Sequence, residues 1–350
     1  MAGVRIGERS FAGELAEFEV ALAGPDTVRA ITVVERLLAD GVDPVLIMEE
    51  IVSAAQRRIG ERWQRGEWSV AQEHAATGVS MAATEAVGRF AASVPVTEGR
   101  IVLGCAEREW HALPAMVVSH GLRSRGWDVT YLGAATPPAR LSTYLQEIGP
   151  DAAAVSCSVL RALPSSRNFV EASTSAGIPV VAGGSAFGVD DTRAMALGAT
   201  AWASTAFAAI EVIPALPSVV PPARPLPAEP LAEQRTLELN HDWLATTLRE
   251  RWRVADWPRS DLRPDPDDLD TVVRDAVDQV LYALQGALVT GDHRIVGDTA
   301  WWIAELLRGR GLPDGPLAGL GELLAAELHE YPLAAALIRG HWRIPEPMGS

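Results

Sequence analysis

Arg100-Ile-Val-Leu-Gly-Cys105-Ala-Glu-Arg-Glu109-Trp-His111-Ala-Leu-Pro114 is the stretch that decides the fold. Its first six residues form a short apolar run of strand type, and an apolar helical run begins near Pro114. His111 is therefore expected on the loop that leaves the carboxyl end of a strand. That is where an α/β sheet presents its ligands. Glu109, two residues earlier, can fix the tautomer of a metal-bound imidazole and raise its basicity.

The same rhythm continues outward from this stretch. Short apolar strands alternate with helical runs at Ile101–Cys105, Val129–Leu132, Ala152–Ser158, Ile178–Ala182 and Ala201–Ser204. This pattern predicts a doubly wound parallel sheet, a Rossmann-like domain over residues 98–216. No G-x-G-x-x-G follows a strand and no G-x-x-x-x-G-K-[ST] occurs, so the signatures of dinucleotide and P-loop enzymes are missing.

Residues 1–97 read as a helical bundle. Asp43-Pro44 is a helix start, with an N-cap acid and proline at the first helical position. From there Val45, Met48, Val52, Ala55, Ile59 and Trp63 follow steps of three and four, one apolar stripe. Gly66 breaks it, and Ser69-Val-Ala-Gln72 is a capping box opening a helix to about Arg89. Two earlier helical segments complete a four-helix bundle. Residues 217–234 carry Pro217, Pro221, Pro222, Pro225, Pro227 and Pro230, a stiff linker. Helical runs near 232–255, 267–290, 296–309 and 317–338 then predict an all-α domain over 235–350. It is rich in tryptophan: Trp243, Trp252, Trp257, Trp301, Trp302 and Trp342.

Composition bounds the rest. The 350 residues carry a net charge of −15, with 48% apolar and 21% charged residues, which disfavours a nucleic-acid surface. Cys105 and Cys157 both fall in predicted strands, so neither a disulfide framework nor a zinc cluster is expected. The first residues lack the apolar core of a signal peptide. The apolar stretch from Thr200 to Val220 is broken by Glu211, Pro214 and Pro217. A cytoplasmic protein is expected.

Three features close strands of the predicted sheet: Glu109-x-His111, Ser156-Cys157-Ser158 and Gly183-Gly184. Together they suit a large flat ligand with a long tail. The imidazole would bind a metal from below, the hydroxyls would meet a heterocycle, and the glycines would let the tail run along bare backbone. In the bundle, Glu73-His74 lies in the first turns of the helix capped by Ser69. An acid and an imidazole turned inward there would need a polar ligand.

This order and spacing resemble the cobalamin-binding Rossmann domain of methionine synthases, mutases and B12 photoreceptors. Their pattern is Asp-x-His-x-x-Gly, then Ser-x-Leu/Thr, then Gly-Gly. Glu109 stands for the Asp and Pro114 for the Gly. The resemblance implies that His111 is the lower axial ligand of cobalt. The segment from Arg62 to His74 is similar to the signature of CarH-type light sensors, in which the bundle covers the upper corrin face. By that resemblance Trp63 packs against an adenosyl group, Glu73 and His74 lie beside it, and His74 can take the upper cobalt position after photolysis. Trp68 is a rival for the tryptophan position, but its spacing to Glu73-His74 departs from the pattern. The DNA-binding winged helix of CarH-type proteins has no counterpart in this sequence, so direct promoter repression is not expected.

A B12 core joined to an all-α domain of globin or phycobiliprotein type resembles the photocobilins, which bind biliverdin as well as cobalamin. The predicted C-terminal domain has no cysteine, so a bilin would be held non-covalently. Such a pocket needs aromatic walls, an acid or imidazole near the pyrrole nitrogens, and arginines for the propionates. Asp292, His293, Asp298, Trp301, Trp302, Arg308, Arg339 and His341 are the residue types available. Without a bilin, the domain could take haem through a histidine or serve as a dimerisation module.

The expectation is a sensor rather than a metabolic enzyme, since no mutase barrel or methyl-donor domain is present in the sequence. It would bind adenosylcobalamin and biliverdin, form a homo-oligomer, touch neither nucleic acid nor membrane, and signal to an unknown partner. The alternatives are a corrinoid methyl carrier for a methyltransferase and a B12 sensor indifferent to light.

Overall fold

A computed structural model describes residues 10–252, 266–312 and 315–343, with side chains described from 269 in the second stretch. Trp257 lies outside the described residues. The bundle comprises α1 (Ala12–Ala23), α2 (Thr27–Ala39), α3 (Pro44–Ile47) and α5 (Val70–Ala92). A π-helical turn, Met48–Ser53, carries α3 directly into α4 (Ala54–Gln64), so these form one continuous rod. Local chemistry sets the starts. Asp43 accepts the amide of Val45 at 2.8 Å with Pro44 at the first position, and Ser69 and Gln72 exchange the two bonds of a capping box. The apolar stripe is buried from Val45 to Ile59, against Phe18, Val33 and Leu37. Trp63 is different: it leaves the bundle and packs on the core of the C-terminal region.

The Rossmann-like domain has five parallel strands: β1 (Arg100–Cys105), β2 (Asp128–Tyr131), β3 (Ala152–Ser156), β4 (Val180–Gly183) and β5 (Ala201–Ala203). Their order is β2-β1-β3-β4-β5. Residues along β1 alternate between two apolar layers. Val102 joins Phe169 and Phe187, and Ile101 and Leu103 join Leu122 and Trp127. Helices α6 (Ala112–Arg123), α7 (Leu141–Ile148), α8 (Leu163–Ser175), α9 (Thr192–Ala196) and α10 (Ala206–Val212) cover the faces. Chain order reverses between β1 and β3, which makes their carboxyl ends the switch point where such sheets bind ligands. β3 stops at Ser156, short of the expected Ser158, because the Ser158 amide is drawn to Glu109 instead of the ladder.

The C-terminal region is all helical: α11 (Ala228–Leu239), α12 (His241–Arg251), α13 (Pro266–Thr290), α14 (Arg294–Gly309), α15 (Gly315–Glu327) and α16 (Pro332–His341). Several expectations about this region need correction. The proline-rich segment does not extend to 234, since α11 begins at Ala228. Pro230 falls in its first turn, where an amide would have no helical partner anyway. Val220 donates to the Gly177 carbonyl, Ala223 to Thr174 Oγ1, and Arg167 to the Arg224 carbonyl, strapping the proline-rich segment to α8. The run expected over 232–255 is cut at Asn240, and that over 317–338 at Tyr331-Pro332. Helix α13 carries the core through Val277, Leu281 and Leu284, while its Ala283 and Val289 pack into the Rossmann layer. Among the described residues no helix is long and apolar enough to cross a membrane.

Candidate functional site

The site is assembled at the switch point. Glu109 is fully buried on the turn after β1. Its Oε1 accepts the His111 amide and the His111 Nδ1, both at 2.7 Å. Its Oε2 accepts the amides of Ser158 at 2.5 Å and Val159 at 3.0 Å from the loop after β3. Burial works against the charged carboxylate, but the bonds from His111 and Ser158 outweigh it and hold the carboxyl below its ordinary range. An ionised Glu109 requires the proton on Nδ1, so Nε2 is the imidazole's outward lone pair. The ring that carries it is 60% exposed. The hydrogen bond to Glu109 raises the His111 pKa, burial opposes this, and Glu73 and Arg161 act on the ring through space.

Glu73, on the bundle, is within that electrostatic reach of His111, and His74 follows it on the same helix. His74 Nδ1 lies 2.7 Å from Glu73 Oε2 and 2.9 Å from the Val70 carbonyl, which again leaves Nε2 outward. The ring is 74% exposed, so it incurs no desolvation cost as the chain stands. The other Glu73 oxygen accepts from Thr77, which continues to Gln56 and Ser80. This polar chain inside the bundle was not legible in the sequence. Its members are ordinary helix-surface residues until α4 and α5 pack together.

Ser156 is buried, and neither its hydroxyl nor that of Ser158 has a hydrogen-bond partner among the described residues. Both are available to a ligand. Gly183 and Gly184 are required by the protein's own backbone. A Cβ on Gly183 would lie 2.6 Å from the Ala203 carbonyl oxygen, and one on Gly184, at φ +105°, would lie 2.3 Å from that of Cys157. Cys105 and Cys157 do not supply ligands. Burial pushes the Cys105 thiol up to about 12 and raises Cys157 as well, so both stay protonated. No three His, Cys, Asp or Glu side chains converge on a metal-sized point among the described residues. A lone, carboxylate-oriented imidazole fits a metal that arrives with its own equatorial chelate, as in a corrin.

The residues expected for a bilin line neither of two adjoining cavities described below. Asp292 is buried in ion pairs with Arg193 and Arg294, at 2.8 Å each, and Asp298 lies 3.4 Å from Arg193. His293 faces His341, Arg308 pairs with Glu305, and Trp301 and Arg339 are exposed. Trp302 stacks on Trp63. Instead, two adjoining cavities of about 350 and 380 Å³ lie between the loops after β1 and β3 and helices α11 to α13. They share Arg108, Arg161, Glu238 and Gln285; the first adds His241, Asp242 and Tyr282. His241 stacks on Tyr282 with centroids 4.5 Å apart, and its Nδ1 is buried with no partner. These residues are far apart in sequence and form no local motif.

Comparison with known proteins agrees with this geometry. Residues 99–211 match the family described as B12 binding domain, and residues 15–87 match a second family of the same description. The transcriptional repressor CarH of Myxococcus xanthus is 28% identical over 167 residues, 46% of this chain and 54% of that protein. The chain thus spans about half the length of that relative. Trimethylamine corrinoid protein 1 of Methanosarcina acetivorans is 25% identical over 169 residues, 47% of this chain and 77% of the relative. In fold, the chain is similar to the monomethylamine corrinoid protein of Methanosarcina barkeri. That match has a TM-score of 0.50 and 17% identity, over 58% of this chain and 98% of the other. The helical bundle and the Rossmann-like domain together form a cobalamin-binding core.

Proposed function

We propose that the chain is a light sensor. It would hold adenosylcobalamin through His111 as a cobalt ligand and signal through movement of the helical bundle to a partner. The observation that carries this reading is the exposed His111 ring, its Nε2 left outward by the Nδ1 bond to Glu109, with Glu73 of the bundle acting on it through space. When bound, adenosylcobalamin supplies a cobalt–carbon bond that visible light breaks. His111, oriented by Glu109, would hold the cofactor, with Ser156, Ser158, Gly183 and Gly184 at the ends of β3 and β4 available to its nucleotide tail and Glu73, His74 and Trp63 supplied by the bundle. His74, with its Nε2 outward and its ring exposed, would be the bundle residue able to change contacts when the cofactor changes, giving two states as a switch requires. Similarity to CarH favours this reading.

Biliverdin is the second chromophore of the proposal, held without a covalent bond. The adjoining cavities lined by Arg108, Arg161, His241, Asp242, Tyr282 and Gln285 supply the Arg161 guanidinium for a propionate, Arg108 being paired with Glu238, together with an aromatic wall and an unpartnered imidazole nitrogen. A second reading, a corrinoid methyl carrier without photochemistry, is favoured by similarity to the two methylamine corrinoid proteins. Absorption spectra of protein loaded with adenosylcobalamin in the dark, before and after illumination, separate the two. A sensor changes spectrum together with exchange protection of the bundle. A carrier photolyses with no structural consequence.

A further inference from the structure

Helix α14 touches both halves of the cobalamin-binding core, one at each end. At its N-terminal end Asp292 and Asp298 pair with Arg193 of α9, and Arg294 pairs with Asp190. The Arg193–Asp292 pair is almost fully buried, with side-chain exposures of 8% and 3%. Sixteen residues later, a rise of about 24 Å, the other end meets the tip of the bundle rod.

That second contact is closely built. Trp302 stacks on Trp63 with centroids 6.1 Å apart and planes at 26°. Gln64 Nε2 donates to the Trp302 carbonyl at 3.3 Å. Arg310 donates from Nη1 to the Gln64 carbonyl at 2.7 Å and from Nη2 to the Trp63 carbonyl at 3.4 Å. Its guanidinium also stands 6.0 Å from the centre of the Trp63 ring. The Trp63 carbonyl already accepts the Gly66 amide at 2.9 Å, while the Gln64 carbonyl has no backbone donor among the described residues, so the cation satisfies the second, adds to the first and offsets the helix dipole at the end of α4. Gly309 permits the approach: a Cβ on it would lie 2.6 Å from the Arg65 Cα and 3.0 Å from the Gln64 oxygen.

We infer that α14 is a strut between the Rossmann-like domain and the bundle, and that Trp302 and Arg310 are positioning residues for Trp63 and so for the upper cobalamin face. This rests on the reading above in which the bundle covers that face. With the strut intact, the rod tip cannot shift relative to the Rossmann-like domain without breaking the clasp at Trp63 and Arg310 or the ion pairs at Arg193 and Arg294. The C-terminal region thereby reaches the cobalamin site mechanically, through a tryptophan that belongs to the bundle in sequence and to the C-terminal core in space.

Two full-chain variants test it. Arg310→Ala removes the clasp. Gly309→Ala is a wedge: alanine favours the helix itself, so folding is preserved while the methyl group forces the Arg65 backbone away. Each is loaded with hydroxocobalamin, and cyanide uptake at the upper face is followed by absorbance. Both variants should take up cyanide at least about fivefold faster than the parent, the scale of an ordinary coupling between sites. Cobalamin retained through gel filtration, which reports the His111 side, should be unchanged. Hydrogen exchange of the Arg65, Gly66 and Glu67 amides is read in parallel without cobalamin, and should rise in both variants. Faster exchange of those amides with unaltered cyanide uptake overturns the strut's link to the upper face. Unaltered exchange in both variants overturns the clasp itself. Failure of the parent chain to bind any cobalamin defeats the proposed function and leaves the clasp to be judged by amide exchange alone.

Discussion

The Glu109 carboxylate accepts His111 Nδ1 at 2.7 Å on one oxygen and the Ser158 amide on the other, so one buried charge both orients the imidazole and ties the β1 loop to the β3 loop. The two roles separate under mutation. Glu109→Gln keeps the shape but offers a single acceptor and no charge. Cobalamin affinity should fall roughly 10- to 100-fold, the usual consequence of losing a carboxylate behind a metal-binding histidine. His111→Ala should weaken binding further and alter the corrin spectrum. Titration of each variant with cobalamin checks both, and unchanged affinity and spectrum for His111→Ala would remove the ligand assignment.

Glu109→Ala should also lower stability without any cofactor. It leaves the amides of Ser158 and Val159 without their acceptor, and a buried unpaired donor costs about 1–3 kcal/mol. Denaturant titration of the cofactor-free protein measures this. An unaltered midpoint would mean that the loops re-pair elsewhere.

The first-strand region announced itself in sequence because the strand, loop and histidine are contiguous and each follows from local pattern. The same holds for the capping box at Ser69 and the helix start at Asp43. What stayed hidden depends on packing between distant segments. Trp63 continues the apolar period of its helix, so sequence assigns it to the bundle core, yet its ring lies on Trp302. Asp292 and Asp298 looked like pocket residues by type, but Arg193, a surface-type residue in sequence, neutralises them. Arg108, Arg161, His241 and Gln285 carry no shared spacing at all. Only the docking of α11 to α13 onto the sheet brings them to one cavity.

Gly184→Ala separates structural from ligand-binding need. The added Cβ meets the Cys157 oxygen at 2.3 Å and the backbone sits at φ +105°, so the cofactor-free protein should lose roughly 1–3 kcal/mol. If stability holds and only cobalamin binding falls, the glycine serves the ligand rather than the fold.

Acid should loosen the C-terminal region from the Rossmann-like domain. A hydrogen bond from Arg294 holds Asp190 far below the usual aspartate range. Burial opposes ionisation of Asp292, but Arg294 and Arg193 outweigh it and lower its pKa too. Groups depressed in the folded state stabilise fully above the unfolded aspartate value, about 3.9, and lose that contribution as pH falls below it. Tryptophan fluorescence during acid titration should show a transition in that window. Arg294→Ala should flatten it, and an identical transition in the variant would place the acid-sensitive contacts elsewhere.

Biliverdin added to the full chain should remain with the protein through gel filtration and separate from it after acid denaturation. Both cysteines of the chain are buried in the Rossmann-like domain with their thiols held protonated, so neither is disposed to tether a bilin. Arg161 lines both adjoining cavities and donates to the Arg108 carbonyl at 3.5 Å. A propionate paired to its guanidinium would gain a charge-assisted bond worth about 1.5–3 kcal/mol. Arg161→Ala should therefore reduce pigment retention by about tenfold or more while cobalamin binding persists through His111. Pigment that survives acid denaturation on the chain would contradict non-covalent binding. A colourless parent protein would remove the bilin and leave cobalamin as the single chromophore. A parent that binds both, with red light never altering the cobalamin spectrum, would leave two chromophores with no coupling between them.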